Sequence, residues 1–237
     1  MSDDERPTPE LSLREQLREA ALRAGIGRVA PGEVPTGHAL LTAIGGVRGL
    51  VESILPGLAF LVIYTFSHEL LPSVLIPVVV GVVFVAVRAI QRGPLPQAIA
   101  GLLGIALSAF LALISGRAVD NFIPGIVINA VSLAVLLISL AARWPLIGVV
   151  VGLLTNEGGS WRGDRAKRRV LTLTTWLWVL LFAIRLAVEV PLFLARDAAL
   201  LAAAKLVLGV PFYAAMLWVT WLLVRTVYAA RAGSDAE

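Results

Sequence analysis

Six long apolar stretches, at roughly 49–66, 73–90, 97–115, 122–142, 170–194 and 206–227, run through this chain of 237 residues. A helix needs about 20 apolar residues to cross the roughly 30 Å of hydrocarbon in a bilayer, and each stretch is close to that length. Backbone polar groups inside lipid must be satisfied within the segment, which favours helices for such runs. The spacing predicts an all-α, polytopic membrane protein: a six-transmembrane-helix bundle. Hydrophobic residues make up 58% of the chain, too many for a soluble protein whose charges must coat a surface. Six helices use up the length, so one membrane domain at 38–229 is expected, between cytoplasmic tails at 1–37 and 230–237. The polar start, with Asp3, Asp4 and Glu5, has no apolar core of a secretory signal. Cysteine does not occur, which excludes disulfides, a thiolate nucleophile and a Cys-based zinc site.

Lysine and arginine set the expected orientation. With the N-terminus inside, the inner face carries Arg48, Arg88, Arg92, Arg143, Arg162, Arg165, Lys167, Arg168, Arg169, Arg225 and Arg231. The outer connections carry Arg117, Arg196 and Lys205. Eleven against three is a positive-inside bias, and an even number of crossings returns the C-terminus to the cytoplasm. Trp144, Trp161, Trp176, Trp178, Trp218 and Trp221 all fall toward the inner half, where indoles suit the headgroup boundary. This distribution also accounts for the pI near 10.1 without nucleic acid as a partner.

The connections read as follows. Ser12 and Glu15 fit a capping box that opens a short helix over about 12–23, and Gly25 to Gly37 is a linker. Residues 38–44 run into Gly45-Gly46 and either extend span one or precede it as a separate helix. Trp144 to Leu154 is apolar but too short to cross, so a cytoplasmic interfacial helix between spans four and five is expected. The loop to Arg169 is basic, and Arg165, Lys167, Arg168 and Arg169 are placed to meet anionic headgroups. Its Arg162-Gly163-Asp164 tripeptide is read as accidental.

Lipid offers no hydrophobic drive between helices, so small residues that allow close approach mark interfaces. Ala100, Gly104, Ser108, Ala112 and Gly116 stand at every fourth position of span three and predict a packing ridge that places this span centrally. Pro56 should kink span one, and Pro77, Pro124, Pro191 and Pro211 lie near span ends.

Ionisable groups at membrane depth are expensive and need partners. In span five, Arg185 and Glu189 share a helix face, four residues apart. Asn129 falls at a similar level, Arg117 and Asp120 end span three just above it, and together they complete an expected outer polar cluster. An inner group pairs Arg48 with Glu52, also four apart, near Arg88, Arg92 and Gln97 at the turn between spans two and three. Both pairs could simply neutralise and lock the bundle, or form a polar path. No metal site or cofactor is expected, because neither His38 nor His68 has a second ligand at suitable spacing. Thr172, Thr174 and Thr175 read as donors to backbone carbonyls rather than nucleophiles.

Several motifs recur in a fixed order: Gly45-Gly46-Val47-Arg48-Gly49 with Glu52, Leu55-Pro56-Gly57, Gly101-Leu102-Leu103-Gly104, Gly116-Arg117-Ala118, Phe122-Ile123-Pro124-Gly125, Arg143-Trp144-Pro145-Leu146-Ile147-Gly148 and Trp161. Over about 40–229 they resemble an actinobacterial membrane-protein family, domain-of-unknown-function family 3159. That resemblance brings no activity with it. More distantly, Leu55-Pro56, the Trp-Pro-Leu-Ile turn and the aromatic fifth span are similar to the intracellular septation protein A family, which implies envelope or division work through contacts with other membrane proteins. The sequence reading is thus a non-enzymatic inner-membrane protein acting through helix and tail contacts, alone, as a homo-oligomer or with other membrane proteins. Its alternative is a small channel or secondary transporter using the Arg–Glu pairs.

Overall fold

The computed structural model describes residues 46–91, 95–155 and 157–234. The expected tail helix at 12–23, the linker and residues 38–45 lie outside the described residues.

Among the described residues, eight α-helices follow in order: α1 (Gly46–Ser67), α2 (Leu70–Ile90), α3 (Leu95–Ser115), α4 (Ile123–Ala141), α5 (Leu146–Leu154), α6 (Arg165–Leu194), α7 (Ala198–Val207) and α8 (Val210–Ser234). Short 3₁₀ turns at Ala118–Phe122 and Ser160–Gly163 lead into α4 and α6. No strand occurs among the described residues.

Among the described residues, five segments are long and apolar enough to cross a membrane: Leu70–Ile90, Ala98–Ser115, Ala118–Ala141, Arg165–Leu194 and Ala198–Tyr228. These are the helices of a multi-pass membrane protein. Large apolar side chains stay on the outside of the fold, among them Phe66, Ile114, Ile138 and Leu194. In water such a surface would aggregate, whereas in lipid it is the solvated face. The first helix, α1, is 22 residues long and holds an apolar stretch at Ile54–Ser67.

The helices pack as sequential neighbours α1–α2–α3 and as a second group α4–α6–α8, with α7 seated between α1 and α6. Phe60, Val74, Ala109, Ala112, Val119, Phe122, Leu201 and Ala202 form the core where α1, α2, α3 and α7 meet. Leu136, Val179, Leu181 and Phe182 form the core of the second group.

Local chemistry explains the helix ends. Asp164 caps α6 by accepting from the backbone N–H of Ala166 (2.8 Å) and Lys167 (3.3 Å), so the Arg-Gly-Asp tripeptide has a structural purpose. Asp197 caps α7 in the same way through Leu200 N–H. Arg143 and Arg196 close α4 and α6 in the left-handed region, at φ 57° and 59°. In each case the next residue's N–H reaches back five positions, Trp144 to Ser139 and Asp197 to Leu192.

Three expectations need correction. The ridge on α3 does not lie between helices of this chain: Ala100, Gly104 and Gly116 are exposed, Ser108 is half-buried, and only Ala112 is buried. A side chain built on Gly104 would touch nothing within 4 Å, because α3 packs through the face of Ala109 and Ala112 instead. The sixth stretch does not begin at 206. Pro211 has no N–H for the carbonyl of Val207, and its ring crowds the preceding turn. The helix therefore breaks at Leu208-Gly209, and an earlier half-helix, α7, carries Lys205 that was expected in a connection. Finally, α2 starts at Leu70, which leaves Pro77 inside the helix rather than near its end.

Candidate functional site

Arg185 and Glu189 lie one turn apart on α6, which is apolar around them, and 5% and 3% of their surfaces remain exposed. The 3.6-residue repeat brings them together: Arg185 Nη2 donates to Glu189 Oε1 at 2.9 Å. The other carboxylate oxygen accepts from Asn129 Nδ2 on α4, also at 2.9 Å. Arg185 Nη1 donates to the carbonyl of Leu208 at 2.6 Å. That carbonyl ends the α7 half-helix, where Pro211 prevents the normal helical continuation, and a cation suits the negative end of the peptide dipoles there. The ring of Tyr213, in the first turn of α8, lies 5.0 Å from the Arg185 guanidinium. One ion pair thus ties α4, α6, α7 and α8 together at the break.

Depth follows from helix geometry. Arg185 stands nine residues before the end of α6 and twenty after its start, or about 14 and 30 Å along the axis. The site lies within the apolar part of the bundle, toward the end opposite the basic residues Arg165, Arg168 and Arg169.

Lys205 belongs to the same centre. It lies within electrostatic reach of both Glu189 and Arg185, and its Nζ sits 5.1 Å from the ring of Phe122. Its Nζ lies beside Gly125, where an added Cβ would stand 3.4 Å away, at ordinary contact distance. Lys205 makes no hydrogen bond or salt bridge with any described residue. The signal that could have revealed it is its isolation, because it is the single charge between Ala198 and Val224.

Of the other outer residues, Arg117 and Asp120 pair with each other at 2.7 Å, and no hydrogen bond or ion pair joins them to Glu189 among the described residues. Asp120 is buried, with Oδ1 unpartnered. At the basic end, Glu52 has a partner on a second helix. It meets Arg88 across the α1–α2 interface at 2.6 Å, with both side chains largely buried. The tight connection of the two helices makes this longer-range pair possible. Nothing is described of the Arg48 and Gln97 side chains, and Arg92 lies outside the described residues.

A third polar cluster was not foreseen. Lys167 is buried rather than facing headgroups, because its Nζ bonds Glu157 Oε1 at 2.5 Å and lies over the ring of Tyr228. Tyr228 Oη donates to the second Glu157 oxygen at 3.1 Å. Trp161, expected at the lipid boundary, is instead inserted against α5, where Gly148 and Gly152 leave it space. A cavity of about 340 Å³ lies beside it, lined by Ser160, Trp161, Gly163, Asp164 and Lys167. Thr174 and Thr175 donate to the carbonyls of Val170 and Leu171, as the sequence reading has them.

A family model described as a protein of unknown function, DUF3159, matches residues 44–231. The chain belongs to this family. The DUF3159 match covers every helix from α1 into α8, and with them Glu52, Asn129, Arg185, Glu189 and Lys205. No curated protein and no solved structure matches the chain.

Proposed function

We propose that this chain is a plasma-membrane protein of six crossings, not an enzyme, that moves an ion or small solute through the centre built on Arg185 and Glu189. Both termini lie in the cytoplasm in this reading, with Arg165, Arg168 and Arg169 meeting anionic headgroups and α5 lying at the inner interface. The count of six takes α1 as a crossing in spite of Glu52, whose charge is paired with Arg88. The lysine and arginine distribution supports the orientation.

One observation carries the transport reading. A salt bridge and an additional lysine meet a helix broken inside the apolar bundle. Broken helices with charged partners at membrane depth are a recurrent construction of solute and ion sites. Reconstituted liposomes test it. Flux that disappears in Glu189→Gln, in a protein that still folds, is the expected result. Absence of any solute- or ion-dependent flux in the wild type contradicts it.

A second reading has its own support. Gly101 and Gly104 face outward with open space around them, a surface that admits another membrane helix closely. It fits a scaffold in the envelope or division machinery, as the likeness to septation protein A implies, with Glu189 serving as a lock. In that case Glu189→Gln lowers expression and stability, and no flux exists to lose.

A further inference from the structure

We infer that the centre at the helix break binds a small oxyanion, a carboxylate or phosphate group, between Lys205 and Arg185. The inference names the substrate class for the transport reading and depends on that reading only for movement of the bound anion.

Charge comes first. Arg185 and Lys205 supply two positive charges and Glu189 one negative. Adding the separate Arg117–Asp120 pair leaves the sum at one positive charge in excess. Glu189 is already counted in this sum, and no hydrogen bond or ion pair joins Glu189 or Asp120 to Lys205 among the described residues. An ammonium in an apolar bundle is costly without a partner, and three N–H donors of Lys205 are left without an acceptor among the described residues.

Hydrogen bonding points the same way. Arg185 is 95% buried by its 5% exposure, and its Nε has no partner. This donor is independent of Lys205 and lies in the same centre. The third observation is the backbone around Gly125. Lys205 Nζ rests against the first turn of α4, and no side chain caps that helix. That turn offers the ammonium no acceptor: Ile123 N–H donates to the carbonyl of Asp120 and Pro124 has no N–H, and a helix start presents donors rather than acceptors. One oxyanion would satisfy the ammonium and the idle guanidinium donor together. Lys205 is partly exposed whereas Arg185 is buried.

The test measures binding by purified protein in zwitterionic nanodiscs, with inorganic phosphate and succinate as probes in titration calorimetry. Saturable binding of either probe is expected. Lys205→Met should weaken it by about tenfold or more, the scale of one charge-assisted hydrogen bond, and Lys205→Arg should keep most of it. Gly125→Val, which fills the space beside Nζ, should also weaken it. Thermal melts of each variant confirm folding. A parallel series with phosphatidylglycerol asks whether a lipid phosphate is the source: a Lys205-dependent gain in melting temperature would support the site with lipid as its ligand. No saturable binding and no lipid-dependent gain in the wild type would overturn the inference, as would wild-type affinity in Lys205→Met. Anion binding without flux would uphold the site and remove the transport reading. Flux of cations or protons, indifferent to anions and to Lys205→Met, would do the reverse.

Discussion

Asn129 donates to Glu189 across sixty residues of sequence, and among the described residues it is the one side-chain hydrogen bond that joins α4 to the ion pair on α6. An amide is suited to this position because it supplies a donor without a second charge. Asn129→Leu leaves one oxygen of a buried carboxylate bare and should lower stability by about 1–2 kcal/mol, read as an earlier midpoint in denaturant titrations of the detergent-solubilised protein. Asn129→Asp sets two carboxylates side by side and should cost more. Equal stability of all three proteins would mean that the bond is dispensable.

Trp161 and α5 fit through missing side chains. A Cβ on Gly148 would stand 2.7 Å from the indole, and one on Gly152 would meet both the indole and the carbonyl of Gly158. The indole can tilt and the backbone oxygen cannot easily withdraw. Gly152→Ala should therefore be the more damaging change, releasing the 157–164 connection to protease, while Gly148→Ala has a smaller effect. Limited proteolysis with tryptophan emission as a second readout distinguishes them.

Lys167 depends on Glu157 for its only salt bridge among the described residues. Glu157→Ala leaves a buried ammonium facing only the ring of Tyr228 and should destabilise by about 2–3 kcal/mol, somewhat under the value for a fully buried pair because Glu157 is partly exposed. Lys167→Met in the same background should recover much of the loss. Failure of that second change to rescue would argue against charge as the cause.

The Glu52–Arg88 pair predicts a reciprocal rescue. Glu52→Arg places two cations together at the α1–α2 interface and should reduce the yield of folded protein, whereas the double exchange Glu52→Arg with Arg88→Glu should restore a substantial part. Size-exclusion profiles of detergent extracts report the outcome.

Arg196 holds the left-handed position after α6, where a residue with a Cβ pays about 1–2 kcal/mol. Arg196→Gly relieves this and should raise the melting temperature in detergent, less the small contribution of a cation near the helix end. A lower melting temperature would show that the guanidinium matters more than the backbone.

Much of the bundle was legible because hydrocarbon thickness imposes its own length on a sequence. Arg185 and Glu189 were readable as a pair because four residues make one turn, and Asn129 because its depth could be counted from the span end. Contacts between helices were harder. Glu52 finds Arg88 across an interface that spacing along the chain does not reveal. The small residues of α3 look like an interface in sequence, yet Gly104 faces outward, since any helix can present its small face to lipid or to another molecule. The break at Leu208-Gly209 had a signal in Gly209-Val210-Pro211, but the surrounding hydrophobicity concealed it. Lys205 was misplaced for the same reason. Trp161 illustrates a further limit: the glycines that receive it carry no mark of what they receive.

The account rests most directly on α6 crossing the membrane with its charged centre inside. Because the chain contains no cysteine, a single introduced thiol reports its own side. Arg168→Cys and Ala195→Cys, at opposite ends of α6, should respond differently to a membrane-impermeant maleimide applied to spheroplasts: Ala195→Cys labelled at once, Arg168→Cys only after the membrane is opened. Labelling of both from the same side would contradict it.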